Sequence, residues 1–149
     1  MTETPSGGVP DDELTVAAVR LASIVGNLVR VLRRQAPTEV GPGSLAALAT
    51  LSRCGPMRLG DLAAREGVAP PTLTRMVAAM EEAGLVTRCP DERDRRAVLV
   101  SATAPGARVV TDSARARAAV LRSRLVRLPP ERQAALWAAL PALEALLDD

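Results

Sequence analysis

The chain has 149 residues, 48% apolar and 1% aromatic, and a net charge of +2 from 19 basic residues against 17 acidic ones. That length suits one domain, or a small domain with extra dimerisation helices, and holds enough apolar side chain for a real core. Histidine and lysine are absent, which excludes an imidazole base and a lysine Schiff base, and the abundance of alanine and leucine leans the chain to an all-α fold.

Residues 1–10 read as a flexible tail of Thr, Ser, Gly and Pro with little to bury. From Asp11 the apolar residues Leu14, Ala18, Leu21, Val25, Leu28 and Leu32 alternate at steps of four and three, widened by Ala17, Ile24 and Val31. That pattern lays one apolar seam along a helix over residues 11–36. Asp11, Asp12 and Glu13 suit its positive end, and Arg33 and Arg34 its negative end. A narrow, heptad-like stripe of this length asks for a partner helix, which makes this a dimerisation helix. After a loop at Ala36–Gly41, Pro42 opens a second helix that buries Leu45, Leu48, Ala49 and Leu51 and stops before Gly55-Pro56. Met57–Leu59 can form a short strand. The next helix, Leu59–Glu66, starts poorly on Arg58 and Gly60 and is stopped by Gly67.

A further helix spans residues 70–83, with proline at its first positions and Gly84 just past its end. Leu73, Val77, Met80 and Leu85 face the core, leaving Pro71, Thr72, Arg75, Met76 and Ala79 outward. Pro71, small and smooth, with the hydroxyls of Thr72 and Thr74, lets such a helix settle in a major groove. Backbone N–H groups and hydroxyls there can hold phosphates while Arg75 reaches base edges. Taken singly, a Thr or Arg of this kind is as well explained by a solvated helix face. The adjoining hairpin favours DNA: strands Leu85–Cys89 and Ala97–Ser101 flank the charged loop Pro90–Arg96. Asp91 or Asp94 can brace one arginine while another of Arg93, Arg95 and Arg96 projects from the tip toward a minor groove. Charge alone would not make the case, since residues 70–101 carry five Arg against five acids. The fold class is therefore mainly α with a small β-wing: a winged helix-turn-helix lobe over residues 42–101 plus N- and C-terminal dimerisation helices.

Thr103 suits the N-cap of a long helix to Leu128, with Val110, Ala114, Ala118, Leu121, Leu125 and Leu128 as its stripe and seven Arg against two acids from Ala102 to Arg132. Those arginines read as a solvated face, or as a positive lining of the cleft between two dimer arms. Pro129-Pro130-Glu131 starts a last helix with Leu136, Leu140, Leu143 and Leu147 on one side, kinked by Pro141. Residues 103–149 thus form the C-terminal dimerisation helices. Neither terminal helix can bury its stripe within so small a lobe.

Leu62-Ala63, Pro70–Arg75, Glu81–Val86 and Asp91–Val98, with Val100–Gly106 beyond them, resemble the MarR family of bacterial transcription regulators. The likeness covers nearly the whole chain from Asp11. It implies a homodimer of winged helix-turn-helix lobes joined by the terminal helices. By the same resemblance Arg93 falls where the family places its minor-groove wing arginine, and Asp91 where a bracing carboxylate sits. The chain departs from the pattern at Ala102, where leucine is usual, at the weak Arg58/Gly60 helix start, and at Gly41, where a capping Thr or Ser is common. The family commonly takes small aromatic or phenolic anions between dimer helices and DNA lobes. Here such a pocket would be aliphatic, with Arg20, Arg30 or Arg115 as possible carboxylate anchors and no effector identified.

These readings point to a dimeric, sequence-specific regulator, a repressor in the family's usual manner, on double-stranded DNA carrying a pseudo-palindromic operator. A winged-helix protein-interaction module without specific DNA binding is the alternative that a neutral reading head keeps open. A redox-sensing regulator is another, although Cys54 and Cys89 read as buried structural thiols without CxxC spacing. No cofactor, metal site or enzymatic motif is expected. Without a basic-then-apolar leader or an uninterrupted apolar run of membrane-spanning length, the expected location is the cytoplasm, at the nucleoid.

Overall fold

A computed structural model describes residues 10–91, 94 and 97–147. The element order is α1 (Asp11–Gln35), α2 (Pro42–Cys54), β1 (Met57–Arg58), α3 (Leu59–Glu66), α4 (Pro70–Glu82), β2 (Val86–Pro90), β3 (Val98–Ala102), α5 (Ala104–Leu125) and α6 (Pro130–Glu144). The strands form one antiparallel sheet in the order β1-β3-β2, with Met57 opposite Val100 and Arg88 opposite Val100 on its other side. This is a winged helix-turn-helix.

The core lies between α2, α3, α4 and the sheet. Leu48, Leu62, Leu73, Val77 and Val100 are fully buried there, joined by Ala47, Leu51, Ala63, Met80 and Val86. Helix α2 is covered on more than one side, by α3 and α4 and by α5, which is why Ala47 and Thr50 are buried while Ala49 is only partly so. The Thr50 hydroxyl donates to Glu66 Oε1 at 2.6 Å, so a polar side chain in this position keeps its hydrogen bond.

Chain reversal after α4 rests on Gly84, whose φ of 69° is open to glycine at no steric cost. Gly84 N–H bonds to Glu81 C=O at 2.9 Å and Leu85 N–H to Met80 C=O at 2.8 Å, closing the helix end. Because Leu85 is committed to that cap, β2 begins one residue later than the sequence suggests. β3 is likewise displaced by one residue, since Ala97 N–H turns back to Asp94 C=O at 2.8 Å.

Thr103 ties α5 to this turn. Its hydroxyl accepts from Gly106 N–H at 3.2 Å and donates to Gly84 C=O at 2.7 Å, while its own N–H reaches Leu85 C=O at 3.0 Å. Gly106 permits the approach: a methyl group there would overlap the Leu85 carbonyl oxygen. With Gly106 and Ser113 setting the buried face of α5, Ala114 and Ala118 of the expected stripe are exposed. The helix stops at Leu125 rather than Leu128, in tight turns that precede Pro129, because proline disfavours helical backbone in the residue before it. Gln133 Nε2 then donates to Leu125 and Leu128 C=O at 3.1 and 2.9 Å, closing the end of α5 from α6.

The terminal helices are bare. No residue of α1 or α6 is buried, and Leu14, Ile24, Val25, Leu136 and Leu140 are all exposed. By length and composition α1 is apolar enough to cross a membrane, although Arg20, Asn27 and Arg30 interrupt it. α6 runs on through Pro141 to Glu144, which leaves Leu147 beyond its end.

Candidate nucleic-acid interface

Helix α4 presents Pro71, Thr72, Thr74 and Arg75 to solvent, backed by the buried Leu73 and Val77. Met76 is not among the outward residues; its side chain is half-buried over Gly43, where the absence of a Cβ admits it. The helix start differs from the expectation of free backbone donors. Pro70 and Pro71 have no N–H, and the N–H groups of Thr72 and Leu73 both turn back to Ala69 C=O, at 2.9 and 3.1 Å. The Thr74 hydroxyl donates to Pro70 C=O at 2.9 Å, so it can accept from a partner but not donate. That leaves the Thr72 hydroxyl and the Arg75 guanidinium, neither of which has a partner among the described residues.

Beside α4 stands the wing, β2 and β3. Arg93, Arg95 and Arg96, which the sequence assigns to its tip, lie outside the described residues. At its root Asp91 and Asp94 converge on one guanidinium: Arg58 Nη2 of β1 lies 2.9 Å from Asp91 Oδ2 and 3.4 Å from Asp94 Oδ2. The hydrogen bond that Arg58 donates to Asp91 raises the Arg58 pKa above its ordinary value, against a smaller desolvation cost, with the charges of Asp91, Asp94 and Asp61 adding to the rise. On the other flank Arg88 Nε of β2 meets Glu81 Oε2 of α4 at 3.0 Å. Three of the five acids of the reading head, Glu81, Asp91 and Asp94, lie against arginines, one of which, Arg58, is outside the counted stretch. The sequence offers Arg58 only as a poor helix cap, and indeed no side chain caps α3 there.

A cavity of about 380 Å³ opens between α1, α2 and α5, walled by Val29, Leu32, Leu45 and Val110. Arg33 and Arg117 line it, whereas Arg20, Arg30 and Arg115 do not; Arg115 pairs at 3.5 Å with its neighbour Asp112. Ser113 Oγ and Arg117 Nε are buried at this cavity with no hydrogen-bond partner among the described residues. Their spacing, with Val110, Ser113 and Arg117 recurring at three and four, puts them on one face of α5 but does not show what that face meets.

Neither cysteine is the buried thiol expected. Cys54 is exposed at the end of α2, where Arg65 Nη1 reaches its Sγ at 3.5 Å, and Cys89 is half-buried; both are free. Among the described residues no group of three His, Cys, Asp or Glu is placed to hold a metal.

A helix–turn–helix whose second helix shows an open polar face, flanked by a braced two-stranded wing, defines a winged-helix nucleic-acid-binding fold. The sequence model of the MarR family matches residues 42–98. An HTH-type transcriptional regulator of Mycobacterium tuberculosis is 38% identical over 138 residues, 92% of each chain. This chain belongs to the MarR family. A MarR family protein from Bacillus stearothermophilus has the same fold, with a TM-score of 0.77 at 23% identity over 94% of this chain and 99% of that one. So has a mutant MepR of Staphylococcus aureus, solved bound to an oligodeoxyribonucleotide, with a TM-score of 0.66 at 16% identity over 89% and 98% of the two chains.

Proposed function

We propose that this chain is a dimeric, sequence-specific DNA-binding transcription regulator, a repressor by type, acting in the cytoplasm at the nucleoid. The observation that carries this reading is the outward face of α4, where Thr72 and Arg75 are exposed beside a wing held at its root by Arg58. Helix 70–83 enters the major groove and the wing over residues 88–100 enters the adjacent minor groove of a pseudo-palindromic operator. With two prolines at the helix start, side chains rather than backbone amides make the contacts at that end. Thr72 donates to phosphate, Thr74 accepts, Pro71 packs on sugar, Arg75 reads base edges, and Arg93, Arg95 and Arg96 supply the wing's charge.

Dimerisation follows from the terminal helices. The apolar seams of α1 and α6 are open in the single chain, and a second copy related by a two-fold axis covers both. Two recognition helices then lie ~34 Å apart, about one turn of DNA.

A specific observation favours an effector as well. The cavity beside α5 combines aliphatic walls with the unpartnered Ser113 hydroxyl and two arginines, which suits a small anion with an apolar body. Such a ligand regulates by preferring one lobe spacing over another.

The deciding experiment is selection from random duplexes followed by titration at two salt concentrations. An enriched pseudo-palindrome with half-sites one turn apart supports the reading. Only unspecific, steeply salt-dependent binding, or none, refutes it in favour of a protein-interaction module.

A further inference from the structure

We propose that Arg58 is a wing-positioning residue: from β1 it holds both carboxylates at the wing root and so fixes the angle at which the β2–β3 tip leaves the lobe. Its partners lie 33 and 36 residues away, so this is a tertiary clamp and not a local turn bond. Arg58 stands on the edge strand opposite Leu99 of β3 and directly before α3. A short polar residue there could cap α3; the arginine side chain instead crosses toward Asp91, which closes β2, and Asp94, in the loop beyond. A two-stranded hairpin is marginal alone and takes its direction from what braces it. Here the brace is double, since Arg88 and Glu81 tie the opposite flank to α4. Arg58 thereby couples the wing to the helix-turn-helix, and the chain trades a helix cap for a fixed wing.

The role rests on the DNA-binding reading, and two measurements separate them. One is amide hydrogen exchange of the free protein; the other is titration of the selected operator with either A·T or G·C pairs beneath the wing. Arg58→Ala should speed exchange in β2–β3 about fivefold, the scale of one exposed ion pair, while leaving α4 unchanged. It should weaken binding about fivefold on the A·T operator and under about twofold on the G·C one, with Arg58→Lys recovering part of both. Unchanged exchange in the wing, or equal loss on the two operators, overturns the proposal. Should the wild type select no duplex at all, the regulator reading fails, and the exchange measurement alone decides the clamp.

Discussion

Replacing Gly106 with alanine should destabilise this protein even though alanine is the better helix former. Gly106 lies in the first turn of α5 and is buried. An added methyl would overlap the Leu85 carbonyl oxygen and stand 3.0 Å from Leu48 Cδ2. The leucine methyl can rotate aside; the carbonyl cannot. Leu85 is pinned by its N–H bond to Met80 at 2.8 Å, and its C=O already accepts from Thr103 at 3.0 Å. Helix α5 must therefore retreat. Overpacking of this kind costs ~1–3 kcal/mol, and loosening the two Thr103 bonds adds ~1 kcal/mol each. Helix propensity returns less than ~1 kcal/mol. The net loss of ~2–4 kcal/mol corresponds to a Tm lower by ~4–16 °C. Urea unfolding at fixed protein concentration measures it, since the stability of the proposed dimer would depend on concentration. Gly60→Ala is the control: nothing lies within 4 Å of its added Cβ, and it should gain ~0.5–1 kcal/mol. If Gly106→Ala unfolds with the wild type while Gly60→Ala gains as expected, the close-approach argument is wrong.

Arg75→Ala should cost ~1–3 kcal/mol of specific operator affinity and relax the preference at one base position in each half-site, read by titration against single-base variants. Arg93→Ala should weaken binding chiefly on A·T-flanked operators; equal loss on G·C flanks would remove the wing from the minor groove. Ile24→Glu on the open seam of α1 should leave the lobe folded and shift sedimentation from dimer to monomer, and a persistent dimer would mean that α1 is covered by something other than its copy. Ser113→Ala removes a buried unpartnered hydroxyl and should raise stability by ~1 kcal/mol, while weakening any anion that lifts the wild-type Tm.

The sequence announced what is local. Two glycines and a pair of prolines punctuate α3 and α4, and the 3.6-residue rhythm of Leu73, Val77 and Met80 places the buried face, so the outward Thr72 and Arg75 follow. Thr103 as a cap was equally legible. What escaped depends on contacts distant along the chain. Arg58 looked like a defect because its partners belong to another loop, and Ala47 was missed among the buried residues of α2 because helical rhythm assumes one buried face where α2 has more. The cavity was out of reach for the same reason: Arg33 and Arg117 come together only when α1 and α5 cross α2. Cys54 was misjudged from the general burial of cysteine, whereas the end of α2 is open to solvent.

The bond from Thr103 to Gly84 gives α5 the mechanics of a lever. Ser113 lies ten residues from Thr103, about 15 Å along the helix at 1.5 Å per residue. A tilt of ~10° about Ser113 carries the Thr103 end through about 2–3 Å. The end of α4 is fastened to that point and moves with it. In the dimer proposed above, two such levers would change the separation of the α4 helices by several ångströms, against a groove repeat of ~34 Å. In the proposed dimer on DNA, a tilt of that size at the middle of α5 would put both helices out of step with the groove.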